Sequence, residues 1–204
     1  MSIALRALAS LVAVLAVGSA WGPASPSVGD VLKLLRTGGY VIVFRHGATF
    51  SDQAGTDPLH LDNVVKQRQL NDKGRADAKA VGDAFRGAGV PIGKSYSSRF
   101  QRAVETARLI GKERQATLDV SEGGLAVTLD ENNRATQALR ALVAPAPDPG
   151  TNTLIVTHKP NILDAFGKDW FEIKEGEASI FKPEGKGFAL VARIQIGQWT
   201  TAAR

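Results

Sequence analysis

Two short apolar runs, Tyr40–Phe44 and Thr153–Thr157, each lead straight into a histidine, and this restricts the fold more than any other feature of the chain. Runs this short, rich in Val, Ile, Phe and Thr and lacking polar alternation, predict strands buried on both faces. Strands of that kind belong to parallel sheets covered by helices on either side. The histidines that follow, His46 and His158, stand 112 residues apart. Ligands of open α/β sheets bind just beyond the carboxyl ends of strands. If the two strands are neighbours, both imidazoles share one crevice. Either histidine alone reads as an ordinary strand-end residue. The pair, with Arg45 before His46 and Gly47 after it, points to a site.

The remaining elements alternate as such a fold requires. Val28 to Arg36 predicts a short helix with Asp30 near its start, ended by Gly38-Gly39. Ala48 to Leu70 is a long connection, a length often tied to function. Asn71 reads as the N-cap of a helix over Asp72–Phe85, whose Ala76, Ala80, Val81, Ala84 and Phe85 form a helical stripe. A strand at Ser95–Ser98 and a helix from Phe100 to Gly111 follow. Thr117–Val120 reads as an edge strand and Glu131–Val143 as a helix. The proline-rich Ala144–Gly150 is a stiff linker, and Pro160–Phe166 a further helix. Ala178–Phe181 and Phe188–Ile194 read as a hairpin joined through Pro183–Gly187. The order predicts a three-layer α/β fold, a mostly parallel sheet with helices on both faces and a C-terminal hairpin. Gly89–Ser95 imitates a phosphate-binding loop, but it is one residue short and leads from helix to strand, the wrong way round. It reads as a plain turn.

Arg102 falls in the first turn of the Phe100–Gly111 helix, just past a strand end. Helix N-termini favour anions, and a guanidinium adds a two-pronged donor for phosphate oxygens. A surface pairing with Glu105 is the alternative. Together, Arg45-His46-Gly47 with Thr49, Ser98-x-x-x-Arg102-Ala-x-x-Thr106-Ala, and Thr157-His158 resemble the histidine phosphatase superfamily in order and rough spacing, over about Gly39 to Arg193. The resemblance implies a phosphoglycerate mutase-like fold and a phosphomonoesterase acting on a small phosphate ester without a cofactor. It implies that His46 is the phosphorylated nucleophile and that Arg45, Arg102 and His158, with Thr49 beside them, hold the phosphoryl oxygens. One large branch has an aspartate after the second histidine, where this chain has Lys159. Other branches carry a glutamate after the strand that follows the Arg-Ala-x-x-Thr helix, which makes Glu122 the candidate acid; Asp130 and Glu131 are alternatives. A mutase-like transferase and a non-catalytic phosphate- or phosphosugar-binding protein remain competing readings.

Composition narrows the address and the partners. Arg6 followed by the apolar Ala7–Val17 and then Gly18-Ser19-Ala20 reads as a secretory leader, cleaved after Ala20 or Ala24, with export to the periplasm or beyond. Residues 21–204 then form a single domain. The apolar stretch falls short of the roughly 20 residues of a membrane span, so no stable anchor is expected. The chain has no cysteine, which excludes disulfides and a lipid-modified cysteine. A net charge of +5, without a long Lys/Arg cluster, suits a small anionic molecule rather than nucleic acid. His46, His60 and His158 with Asp52, Asp57 or Asp62 are the rival, a metal site. No familiar ligand spacing supports it, and two arginines beside the histidines repel a cation. Specificity is expected in Ala48–Leu70 and Lys174–Ala178. Oligomeric state is not legible.

Overall fold

In the computed structural model, which describes residues 26–53, 63–111, 115–122 and 128–202, the two histidine-bearing runs are adjacent parallel strands. Strand β1 (Val41–Arg45) pairs with β4 (Asn152–Thr157) in a register that sets Arg45 opposite Thr157. Beyond β4 lie β2 (Ile92–Ser98) and the edge strand β3 (Gln115–Thr117), both parallel to it. On the other side β1 pairs antiparallel with β5 (Ala178–Glu184), which forms a hairpin with β6 (Gly187–Ile194). The sheet order is β3-β2-β4-β1-β5-β6.

The pleat explains the uninterrupted apolar pattern. Ile42 and Phe44 pack toward α1 (Val28–Arg36), α2 (Asp72–Gly87), α3 (Gln101–Ile110) and α6 (Ile196–Ala202). Val41 and Val43 pack toward α4 (Leu129–Val143) and α5 (Lys159–Phe166). Both faces of β1 are therefore dry, so alternation would have been destabilising. Asn71 caps α2 as expected, accepting from the Gly74 amide, and Ser27 caps α1 by accepting from the Asp30 amide.

Several elements differ from the sequence reading. β2 begins at Ile92 rather than Ser95, so the Gly89–Ser95 segment is a turn only in its first half. The edge strand expected at Thr117–Val120 is instead β3 followed by a 3-10 turn over Leu118–Val120. That turn buries Val120 completely and aims its carbonyl at the Thr157 hydroxyl, 2.6 Å away. The hairpin strands run on to a two-residue turn at Gly185-Lys186, with Pro183 inside β5 where only β6 pairs with it. Helix α6 is an addition; its Trp199 is fully buried against Phe44 and Phe85.

The leader pattern of residues 1–20 lies outside the described residues, as do His60, Asp57 and Asp62. Among the described residues, no helix is long and apolar enough to cross a membrane, and no group of His, Cys, Asp and Glu is arranged to hold a metal ion.

Candidate active site

His46 follows β1 and His158 follows β4, so the strand register alone brings the two together. The His46 amide donates to the Thr157 carbonyl at 3.0 Å, one further rung beyond the β1–β4 ladder. The imidazole centroids are 5.2 Å apart. His46 is 6% exposed and His158 1%, in a crevice at the carboxyl edge of the parallel strands.

Two hydrogen bonds fix which nitrogens carry the protons. His46 Nδ1 lies 2.8 Å from the Gly47 carbonyl, which can only accept, so Nδ1 is protonated and Nε2 keeps its lone pair. His158 Nε2 lies 2.7 Å from the Ser98 hydroxyl. Ser98 donates its own hydrogen to Ser121, and Ser121 donates to the Thr117 carbonyl, so Ser98 receives the proton of His158 Nε2. His158 Nδ1 is left bare, buried and without a hydrogen-bond partner among the described residues, 3.6 Å from the Glu122 carboxylate. The two histidines thus present lone pairs through different nitrogens.

Arg102 is buried in the first turn of α3. Its guanidinium lies 4.8 Å from the centre of the Phe100 ring, and Phe100 meets His158 edge-on at 5.5 Å. Its carboxylate partner is Glu122, not Glu105; Glu105 instead receives Arg75 Nε at 2.9 Å. The surface-pair alternative is thereby corrected: the first turn of α3 points Arg102 inward while Glu105 faces α2. Thr106 has a separate task. Its hydroxyl accepts from the Gly47 amide at 3.0 Å and donates to the Arg102 carbonyl, tying the histidine loop to α3. Gly74 supplies the other wall. A Cβ there would stand 2.1 Å from the Ala48 carbonyl oxygen, so the start of α2 and the histidine loop are in backbone contact that only glycine permits.

Arg45 is aimed by main chain. Its Nη1 donates to the Ile173 carbonyl at 2.8 Å, and Nη2 is 3.7 Å from Glu175. Glu175 also accepts from Thr49 at 3.2 Å. The loop that supplies these groups is folded against β1: the Gly176 amide, at φ +74°, reaches both the Arg45 and His46 carbonyls. Buried Glu177 braces it, receiving Arg193 Nε at 2.7 Å and the Lys174 amide at 3.0 Å. Arg45, Thr49, Arg102, Glu122 and His158 are thus gathered near His46. Asp130, Glu131 and Asp52 are exposed, and Glu131 closes the capping box of α4 with Thr128. Lys159, the departure after the second histidine, turns to the Phe171 ring at 4.7 Å. Sequence reasoning missed Arg68, which lies beside the pocket, and the Glu177–Arg193 brace. The signal for Arg68 was its place just ahead of the Asn71 cap, since that helix start meets the histidine loop.

Both imidazoles are held neutral. Burial is the larger cause of the fall of the His46 pKa to about 3, with Arg102 next and Arg45 and Arg68 smaller. Burial followed by Arg102 lowers His158 well below the usual histidine value. Burial raises Glu122 against the pull of Arg102, Arg68 and Arg45. The histidine shifts carry a stability consequence. The unfolded chain takes up protons at its histidines near pH 6.5 whereas the folded site refuses them, so stability is lost as pH falls from about 6.5 toward the folded pKa values. Each buried imidazole contributes a slope of about 1.4 kcal/mol per pH unit. Urea unfolding at pH 6.5 and pH 5 should show this slope, reduced by about that amount in His158→Gln. An unchanged slope in the variant would show that His158 titrates alike in both states.

The geometry gathers two neutral histidines and two arginines at the carboxyl edge of a three-layer α/β fold. Residues 41–124, which hold every one of these groups except His158 and the Glu175 loop, match the family model of the histidine phosphatase superfamily (branch 1). Over that span the chain is similar to the histidine phosphatase superfamily. A solved structure of the protein histidine phosphatase SixA, complexed with tungstate, is similar at a TM-score of 0.56 and 17% identity, over 78% of this chain and 97% of that one. A phosphoserine phosphatase from Entamoeba histolytica, in complex with 3-phosphoglyceric acid, is similar at 0.56 and 16% identity, over 78% of this chain and 98% of the other. The ecdysone phosphate phosphatase of Bombix mori, in complex with tungstate, gives 0.54 and 16%, over 76% and 92%. At these identities the likeness is one of fold. No curated protein sequence matches the chain.

Proposed function

We propose that this protein is a phosphomonoesterase that hydrolyses a phosphate ester through a phosphohistidine on His46. The observation that carries the reading is the Nδ1–H to Gly47 carbonyl bond, which leaves the lone pair on Nε2 of a buried, neutral ring beside His158. A neutral imidazole is a competent nucleophile. In the first step Nε2 forms a bond to phosphorus, the bond from phosphorus to the ester oxygen breaks, and that oxygen takes its electron pair and a proton from Glu122. In the second step water attacks phosphorus, the N–P bond returns its pair to Nε2, and the Glu122 carboxylate receives the water proton. Arg45 and Arg102 offset charge on the phosphoryl oxygens, the main demand of phosphoryl transfer. His158 Nδ1 adds a donor once an arriving phosphate dianion makes its protonation favourable.

Phosphate release from p-nitrophenyl phosphate tests the activity, and vanadate should inhibit competitively by occupying the pocket. Arg102→Ala should raise the vanadate inhibition constant by about tenfold or more, the value of a charge-assisted hydrogen bond. An unchanged constant would remove Arg102 from the phosphoryl site. Exchange between phosphoglycerate positions would identify a transferase instead, and tight phosphate binding without turnover a binding protein.

A further inference from the structure

Arg68 belongs to no part of the mechanism above, yet three contacts fix its segment at the rim of the pocket. The Gln101 amide at the start of α3 donates to the buried Gln67 side chain at 2.7 Å. The Phe50 amide donates to the Gln69 carbonyl, and Thr49 bridges to Leu70. The residue between these anchors therefore sits between the helix that carries Arg102 and the loop after β1 that carries Thr49. Its side chain is half-buried, and its Nε donates to the Gln53 carbonyl at 3.1 Å. Beneath the larger effect of burial, its charge is felt at His46, Arg102 and Glu122.

The pairing of charges around the pocket sets Arg68 apart. Arg45 faces Glu175 and Arg102 faces Glu122. Among the described residues no carboxylate pairs with Arg68, and the hydrogen bond its guanidinium makes there is from Nε. A third arginine whose segment borders a two-arginine phosphoryl site, with no acid partner among the described residues, is suited to a second oxyanion on the same ligand.

We propose that Arg68 forms a second anion subsite beside the phosphoryl pocket, so that the substrate is a phosphate ester bearing a further carboxylate or phosphate group. This rests on the phosphatase reading for the pocket itself but is tested by binding, independently of turnover. Methylphosphonate, phosphonoacetate and methylenediphosphonate carry the same non-hydrolysable phosphorus group with no second anion, a carboxylate, and a second phosphonate. Calorimetric titration of the wild-type protein should show at least one of the doubly charged ligands binding about tenfold more tightly than methylphosphonate, and which one does so identifies the second group. In Arg68→Met that advantage should disappear while methylphosphonate binds within about twofold of wild type. Equal affinities for all three ligands in the wild-type protein would overturn the subsite and leave the phosphatase reading intact. Equal weakening of all three in Arg68→Met would make Arg68 a ligand of the transferred phosphoryl group and likewise overturn it. Failure of the wild-type protein to bind any of them would overturn both readings.

Discussion

Replacing His46 by alanine should lower phosphate release from p-nitrophenyl phosphate by roughly a thousandfold or more, because no other described group offers a nucleophile at that position. The same change should abolish a covalent adduct. Rapid quenching of the wild-type protein with labelled substrate should trap a phosphoryl group that is labile to acid and stable to base, as expected of a phosphoramidate on nitrogen. The structure adds a sharper condition. Burial, then Arg102, holds the His46 pKa near about 3, so its imidazole should be neutral throughout the physiological range. The Gly47 carbonyl fixes the proton on Nδ1. Nitrogen-15 resonances of the free protein at pH 5.5 should therefore show His46 with a protonated Nδ1 and a bare Nε2. A trapped adduct that survives in His46→Ala, or a His46 ring that protonates with a midpoint near 6.5, would remove it as the nucleophile.

Much of this site was legible in the sequence because it is built on strand ends. β1 and β4 are buried on both faces, so their apolar runs stood out, and a residue that ends such a run has few places to go. Arg102 was legible for a related reason: a first-turn position after a strand fixes direction as well as location. What the sequence did not convey is the choice among partners. Arg102 had Glu105 three residues on and Glu122 twenty residues on, and helix spacing favoured the nearer. The register of α3 against α2 gave Glu105 to Arg75 instead. The aiming of Arg45 was invisible for another reason. Its partners are the Ile173 carbonyl and a loop held by the Gly176 amide, and backbone groups leave no mark on residue identity. The Glu177–Arg193 pair that braces this loop joins residues from opposite ends of a hairpin, so neither residue alone drew attention. Helix α6 was missed because seven residues give too little periodicity, although its Trp199 fills the space between Phe44 and Phe85.

The second large effect concerns Glu122, and its size should depend on the substrate. This carboxyl follows β3 and its 3-10 turn, half-buried between Arg102 and His158, where burial raises its proton affinity against three arginines. A carboxyl so placed holds a proton more readily than an exposed one and is within reach of a group bound between the histidines. Lys159, which stands where one branch of the superfamily has its acid, points at Phe171 and offers nothing in this role. General acid catalysis is worth about 100- to 10,000-fold, and most when the leaving oxygen is a poor leaving group. Nitrophenolate departs without a proton, whereas an alkoxide does not. Glu122→Gln should therefore leave p-nitrophenyl phosphate turnover within about tenfold of wild type while lowering turnover of an alkyl phosphate by about a hundredfold or more. The amide retains the shape of the side chain and an oxygen that can still accept from Arg102, so a loss common to both substrates would instead assign Glu122 to holding Arg102 in place. Equal, small effects on both would leave the leaving oxygen to be protonated by water, and Glu122 would then be neither acid nor brace.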